Sequence, residues 1–122
     1  MKENIIFEKC LKFSVRMVKF AEFLESKKQR VIANQILRSG TSIGANVAES
    51  KYASSTLDFI NKLKIAEKEA SETVYWLQVL KEASCIDESQ FESLYADAYE
   101  LLKMIASSII TSKKSSIVNR KS

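Results

Sequence analysis

The side chains that could perform acid–base or metal chemistry in this chain are carboxylates and two cysteines, because the sequence contains no histidine. Without histidine, Ser-His-Asp and Cys-His catalysis and the commonest nitrogen ligands of metals are excluded. A di-iron site in a helical bundle also needs Glu-x-x-His on two helices. Salt bridges or a solvated face are the favoured interpretation of the carboxylates, and we predict no catalytic site, cofactor or metal. The four that could form a set are Glu49, Glu67, Glu69 and Glu72.

The two cysteines, Cys10 and Cys85, form neither a CxxC motif nor a zinc spacing. Reduced thiols in a core are the interpretation we favour, and they suit a cytoplasmic protein. No apolar run approaches the roughly 20 residues of a membrane span, and the sequence MKENIIFEKC lacks the apolar segment of a signal peptide. We therefore predict a cytoplasmic protein without a membrane partner.

Residues 38–50, RSGTSIGANVAES, hold both glycines of the chain within a pattern that otherwise predicts an amphipathic helix. Glycine costs roughly 1 kcal/mol relative to alanine inside a helix. On a helix, Gly40, Gly44 and Ala48 fall four apart on one face. A ridge of small residues lets a neighbouring backbone approach closely. We therefore predict a helix-packing or oligomer interface along this ridge.

A polar face runs beside the small one, and its members are Arg38, Ser42, Asn46 and Glu49. Three interpretations stay open: a solvated surface, a structural network that pairs Arg38 with Glu49, or a ligand or nucleic-acid site. Short hydroxyl side chains in this stretch favour the network, because they bond to backbone carbonyls and leave room for packing.

Four helical patterns follow one another: at about residues 5–26, from 31 into the low forties or fifties, from 56 to 81–83, and from 88 to about 112. Zero proline and two glycines favour an all-α protein. Asp87 with Gln90, and Ser55 with Asp58, predict capped starts for the last two helices. Short connections predict an antiparallel up-down-up-down four-helix bundle in residues 1–112, with 113–122 as a basic, flexible C-terminal tail.

The first helix carries an unusually wide apolar band. A heptad seam runs along Ile6, Cys10, Phe13, Met17, Phe20 and Leu24. A second set, Phe7, Leu11, Val15 and Val18, widens that seam. A wide band predicts that this helix buries a broad face.

Charge is unevenly distributed along the chain. Residues 1–64 carry 12 Lys/Arg and 6 Asp/Glu, residues 65–112 carry 3 and 9, and the last ten residues carry 4 and none. A basic half and an acidic half on one subunit suit head-to-tail contacts between subunits, and such contacts can close into a ring. The alternative is that the opposite charges meet between neighbouring helices of one subunit.

Two stretches, LRSGTSIGANVAES (37–50) and KIAEKEASETVYWLQVLKEA (64–83), carry a family resemblance. Together they resemble the bacterial four-helix-bundle proteins encoded in intervening sequences of large-subunit ribosomal RNA genes. Relatives of that family include the accessory variability determinant protein of diversity-generating retroelements. The resemblance implies a homopentameric ring, a nucleic-acid role and, for the retroelement branch, a reverse transcriptase as partner.

Two functions follow as hypotheses: a nucleic-acid-binding accessory protein, or a protein-interaction scaffold that binds no nucleic acid. The candidate contacts to RNA or DNA are Lys12, Arg16, Lys19, Lys27, Lys28, Arg30, Lys113 and Lys114. A solvated helix face explains these residues as well. Trp76 is either an anchor of a subunit interface or a bundle-edge side chain that covers the core.

Overall fold

The computed structural model describes the backbone of residues 2–121 and the side chains of residues 4–116. This part of the chain is all-α, without a strand. Its four helices are α1 (Lys2–Ser26), α2 (Arg30–Ser50), α3 (Thr56–Glu82) and α4 (Glu88–Lys121). The predicted all-α fold class is therefore confirmed, and the predicted helix starts lie within a few residues of the observed ones. The end of α2, which the sequence left open between the low forties and the fifties, lies at Ser50, and α4 extends beyond its predicted end.

The starts of α3 and α4 are fixed by the side chains that the sequence indicates. The backbone N–H of Gln90 donates to Asp87 Oδ1 at 2.7 Å, and the N–H of Asp87 donates to Gln90 Oε1 at 3.2 Å. At α3, the Ser55 hydroxyl accepts from the N–H of Asp58 at 3.0 Å. Each cap satisfies N–H groups that have no partner within the helix.

The ends of α1 and α3 use a left-handed residue although no glycine is available there. Lys28 (φ 64°) and Ser84 (φ 59°) take this conformation. The next N–H groups, those of Gln29 and Cys85, donate back to the carbonyls of Leu24 and Leu80, both at 2.9 Å. These bonds form the Schellman motif, which closes a helix end. It explains how two short connections turn the chain without glycine or proline.

Each helix contacts two neighbours: α1 packs with α2 and α4, and α3 packs with α2 and α4. Two ion pairs fix the order along α1 and α4, since Lys9 pairs with Glu100 and Arg16 with Asp97. Contacting residue numbers rise in one helix as they fall in the other. The predicted antiparallel packing requires this order.

The core consists of the seams that the heptad spacing predicts. All six seam residues of α1, from Ile6 to Leu24, are buried. Buried residues from α3 and α4 complete the core, among them Leu63, Ala66, Ala70, Leu77, Leu80, Leu94, Ala98, Leu101, Ile105 and Ile109. The alanines at 66, 70 and 98 are fully buried, so the helices approach closely at those levels.

The prediction that α1 buries its whole apolar band is wrong. Leu11, Val15 and Val18 are 55%, 50% and 46% exposed. Val15 lies two residues from the buried Met17, hence about 160° around the helix from it. The two neighbours of α1 cover its seam and leave the opposite side open. We call Leu11, Val15 and Val18 the α1 stripe.

The predicted boundary at residue 112 is not a helix end, because α4 continues to Lys121. The sequence of α4 contains no proline or glycine that would stop the helix. Lys113 and Lys114 are therefore exposed residues of α4 rather than of a separate irregular segment. Flexibility of residues 113–122 stays a prediction, and residue 122 lies outside the described residues.

Candidate interaction surfaces

The two glycines of α2 face α1 of the same chain. A Cβ added at Gly40 would lie 2.5 Å from Met17 Cγ and 2.7 Å from its Sδ. A Cβ at Gly44 would lie 3.1 Å from Cys10 Cβ. Of the two interfaces predicted for this ridge, the structure therefore supplies the helix-packing one, and Ala48 continues it as a half-buried residue.

The polar face of α2 turns toward α3. Arg38 Nη1 donates to Glu69 Oε2 at 3.1 Å, and Arg38 Nη2 donates to Glu72 Oε2. Trp76 Nε1 donates to the same oxygen of Glu72 at 3.0 Å. One carboxylate of α3 is thus held by donors from two helices.

The predicted pairing of Arg38 with Glu49 is wrong. Eleven residues separate them, so they lie about 16 Å apart along α2, whereas α3 is adjacent. Glu49 instead accepts from Lys62 Nζ at 3.4 Å.

Ser42 and Asn46 bond to their own helix. The Ser42 hydroxyl donates to the carbonyl of Arg38 at 2.6 Å, and Asn46 Nδ2 donates to the carbonyl of Ser42 at 2.8 Å. This geometry favours the structural-network interpretation of the polar face over a ligand site.

The charges of this network are stabilised by the hydrogen bonds. Donation by Trp76 and then by Arg38 lowers the pKa of Glu72, although partial burial opposes the shift. The same contact with Glu72, aided by Glu69, raises the pKa of Arg38. Both groups therefore stay ionised near neutral pH, and Glu72 is not suited to act as a general acid.

Trp76 is half-buried and packs against the core cluster. Its ring meets Tyr75 edge-on, with ring centroids 5.2 Å apart. With its N–H bonded to Glu72, Trp76 fits the bundle-edge interpretation. Tyr75, which is 55% exposed, is the aromatic side chain that extends further into solvent.

A buried pair of hydroxyls links α2 to α3, and the sequence did not single it out. Thr73 Oγ1 lies 2.9 Å from Ser39 Oγ and 2.8 Å from the carbonyl oxygen of Glu69, with both side chains fully buried. The available signal was the position of Thr73 in the α3 seam between Ala70 and Leu77. A polar residue there requires a partner.

The basic candidates on α1 are not equivalent. Arg16 Nη1 donates to Asp97 Oδ2 at 2.5 Å, and its Nη2 donates to Ser93 Oγ at 3.0 Å. Among the described side chains, Lys12 and Lys19 form no ion pair and both are exposed. A phosphate would therefore meet Lys12 and Lys19 more readily than Arg16.

The remaining candidates lie at opposite ends of the bundle. Lys27, Lys28 and Arg30 lie in and beside the α1–α2 connection, whereas Lys113 lines a cavity with residues at the start of α3. Since α1 has 25 residues, these ends are about 37 Å apart. The eight candidates thus form separate groups rather than one patch.

The opposite charges of the two halves meet within one chain. Among the described side chains, every ion pair joins two helices. The pairs of Lys9, Arg16 and Arg38 each join a basic residue of the first half to an acid of the second. This is the alternative to the head-to-tail interpretation of the charge halves.

The side chains that could bind a metal ion or act as nucleophiles are either far apart or buried. Over residues 4–116, no three His, Cys, Asp or Glu side chains gather closely enough to hold a metal ion. Burial raises the pKa of the Cys10 thiol to about 12, so it is an unreactive thiol at neutral pH. Within the described residues, no helix combines the length and apolarity needed to cross a bilayer.

A family model described as 23S rRNA-intervening sequence protein matches residues 2–107. The chain belongs to this family. The resemblance carried by residues 37–50 and 64–83 is therefore confirmed. The relation to the retroelement determinant stays a prediction.

A solved structure supports the same assignment for the fold. The chain is similar to a protein of unknown function from the S23 ribosomal protein family of Bacteroides thetaiotaomicron, with 49% identity and a TM-score of 0.87. The match covers 89% of this chain and 98% of that one. Among curated proteins, no match was found. The intervening sequence protein family thus supplies a fold here but not an activity.

Proposed function

We propose that this intervening sequence protein is a non-enzymatic homo-oligomer that binds nucleic acid as an accessory protein in the cytoplasm. The observation that carries the proposal is that most of the basic residues that are candidate nucleic-acid contacts have no acidic partner within residues 4–116. Of the eight, only Arg16 forms an ion pair among the described side chains. Lysines held neither by a carboxylate nor by burial are free to neutralise phosphates.

The expected binding is directed to the nucleic-acid backbone. Contacts from the exposed, unpaired lysines would go to phosphates, which position a protein without reading base sequence. Several subunits in one particle would multiply such contacts. Affinity should therefore be strongly salt-dependent and only weakly dependent on sequence.

A titration of labelled single-stranded and duplex oligonucleotides at two salt concentrations tests this function. If one subunit neutralises about four phosphates of a single strand, a fourfold rise in salt lowers the affinity about 50-fold. Micromolar or tighter binding at low salt with this dependence is the expected result. Absence of binding at low salt would contradict the nucleic-acid role.

Self-association is supported by the α1 stripe. Three aliphatic side chains about half exposed at positions i, i+4 and i+7 leave an apolar ridge in water on a helix whose other side is fully packed. Contiguous exposed apolar surface commonly marks a protein interface. We propose that a second copy covers this ridge, and a ring of five is the assembly that the family resemblance implies.

A pair of matched variants tests the role of the stripe. Val15→Lys places a charge in the centre of the ridge, whereas Val31→Lys makes the same change at a valine that is 76% exposed at the start of α2. Light scattering should show a lower mass for Val15→Lys and an unchanged mass for Val31→Lys. A wild-type mass of one chain at tens of micromolar would contradict self-association.

The second candidate function is a protein scaffold that binds no nucleic acid. The α1 stripe favours it, because an exposed apolar ridge suits a foreign helix as well as a second copy. A reverse transcriptase is the protein partner that the family resemblance suggests. Co-purification of a partner that Val15→Lys abolishes, together with no oligonucleotide binding, would favour the scaffold.

A further inference from the structure

One end of the bundle carries two adjoining depressions, with volumes of about 620 and 430 Å3. They lie between the α2–α3 connection and residues 111–116 of α4, and both are lined by Ser55 and Thr56. Hydroxyl groups contribute much of the lining, from Ser55, Thr56, Thr111, Ser112, Ser115 and Ser116. Hydroxyls donate hydrogen bonds to phosphate oxygens without adding charge.

Three lysines line the same depressions: Lys51, Lys64 and Lys113. None of them forms an ion pair among the described side chains. Lys51 Nζ lies 4.1 Å from the centroid of the Phe7 ring, a contact that leaves its charge uncompensated. The one acid in residues 51–58, Asp58, accepts from the backbone N–H of Ser54 at 3.1 Å. The depressions are therefore positive and rich in hydrogen-bond donors.

Tyr52 directly follows Lys51 in the chain and is 89% exposed. It lies between Lys51 and Ala53, which both line the larger depression. Within the described part of the chain, no aromatic ring or cation lies against the Tyr52 ring. An aromatic face left free beside lysines is the arrangement with which proteins stack an unpaired base.

We propose that this end of the bundle binds single-stranded nucleic acid, with Tyr52 stacked on a base and Lys51, Lys64 and Lys113 on the flanking phosphates. A duplex keeps its bases stacked on each other, so it offers no base face to Tyr52. The inference rests on the proposed nucleic-acid function and adds the kind of strand and the site. The opposite end of the bundle differs in its aromatic residue. There Lys27 Nζ lies over the half-buried ring of Phe23, 5.8 Å from its centroid, so that ring has a cation against it whereas the Tyr52 ring has none among the described side chains.

Fluorescence anisotropy with a labelled oligonucleotide of about six nucleotides tests the proposal on the full chain, within the range of known single-strand site sizes. Tyr52→Ala should weaken binding about fivefold or more and leave the salt slope unchanged, while Tyr52→Phe should bind like wild type. Lys64→Gln with Lys113→Gln should lower the slope of log affinity against log salt by about 1.4. Lys27→Gln with Arg30→Gln removes the same charge from the competing candidate site at the opposite end, and it should change the affinity much less.

The outcomes separate this inference from the function on which it rests. If wild type binds but Tyr52→Ala binds equally well, base stacking is wrong and the nucleic-acid function stands. If Lys64→Gln with Lys113→Gln and Lys27→Gln with Arg30→Gln lower the affinity equally, the proposed location of the site is wrong. Binding of duplex as tightly as single strand would overturn the strand preference. If the wild-type protein binds neither the single-stranded nor the duplex oligonucleotide at low salt, the inference and the proposed nucleic-acid function both fail.

Discussion

Replacing Gly40 with alanine tests whether the small ridge of α2 is closed by α1. The new Cβ would lie 2.5 Å from Met17 Cγ and 2.7 Å from Met17 Sδ, far inside van der Waals contact. Met17 is fully buried, so its side chain has little room to move away. At Gly44 the corresponding contact is milder, 3.1 Å to Cys10 Cβ.

Two opposing terms set the size of the effect. Alanine in a helix gains roughly 1 kcal/mol over glycine. Overpacking a well-filled core costs roughly 1–3 kcal/mol. We therefore expect Gly40→Ala to lower the free energy of unfolding by about 1 kcal/mol, and to be less stable than Gly44→Ala by a similar amount.

Urea unfolding followed by far-UV circular dichroism measures these differences, with all proteins at one concentration because assembly contributes to apparent stability. Ala45→Gly is the control, since Ala45 is an exposed neighbour where only helix propensity changes. It should lose roughly 1 kcal/mol. In a Met17→Ala background, which opens space beneath residue 40, Gly40→Ala should become stabilising.

Two outcomes of these unfolding experiments would contradict a contact between Gly40 and Met17. If Gly40→Ala raises the free energy of unfolding by the full propensity gain in the wild-type background, residue 40 faces open space. If its effect is the same with and without Met17→Ala, Met17 is not the contact. Either finding would refute close packing of α2 on α1.

Two further predictions concern ionisable groups. Because Arg38 and Trp76 hold the pKa of Glu72 below its ordinary value of 4.5, their contribution to stability is present above that pH and is lost as the pH falls through the lowered pKa. Glu72→Gln should thus be less stable than wild type at neutral pH by about 1 kcal/mol or less, and unfolding curves measured across acidic pH should show this difference shrinking. Because burial raises the pKa of Cys10 to about 12, a thiol reagent should label Cys85 alone in the native protein and both cysteines in denaturant, and native labelling of Cys10 would contradict its burial.

Periodicity and capping chemistry were sufficient to predict the four helices. The heptad seams are buried as predicted, and the cap formed by Asp87 and Gln90 has the reciprocal bonds that its spacing indicates. Both signals are local, because they depend on residues within one or two turns of a single helix. Local signals also predicted that Gly40 would be closely approached, though not by which helix.

Features that depend on neighbouring helices could not be predicted in the same way. The apolar band of α1 is wider than the space between α2 and α4, so Val15 is left exposed although its residue type suggests burial. Arg38 pairs across to α3 because that helix lies nearer to its guanidinium than Glu49 does along α2. The meeting of the α2–α3 connection with Thr111, Ser112 and Lys113 around the two depressions depends on α4 passing that connection, which no spacing within one helix indicates.

Sedimentation velocity of a labelled single-stranded oligonucleotide mixed with the protein tests oligomerisation and nucleic-acid binding in one experiment, because it reports mass and binding together. At low salt the label should sediment with a particle of several 13.8-kDa chains, and at high salt the label should be released while the particle persists. A label that sediments alone at low salt, beside protein with the mass of one chain, would contradict both.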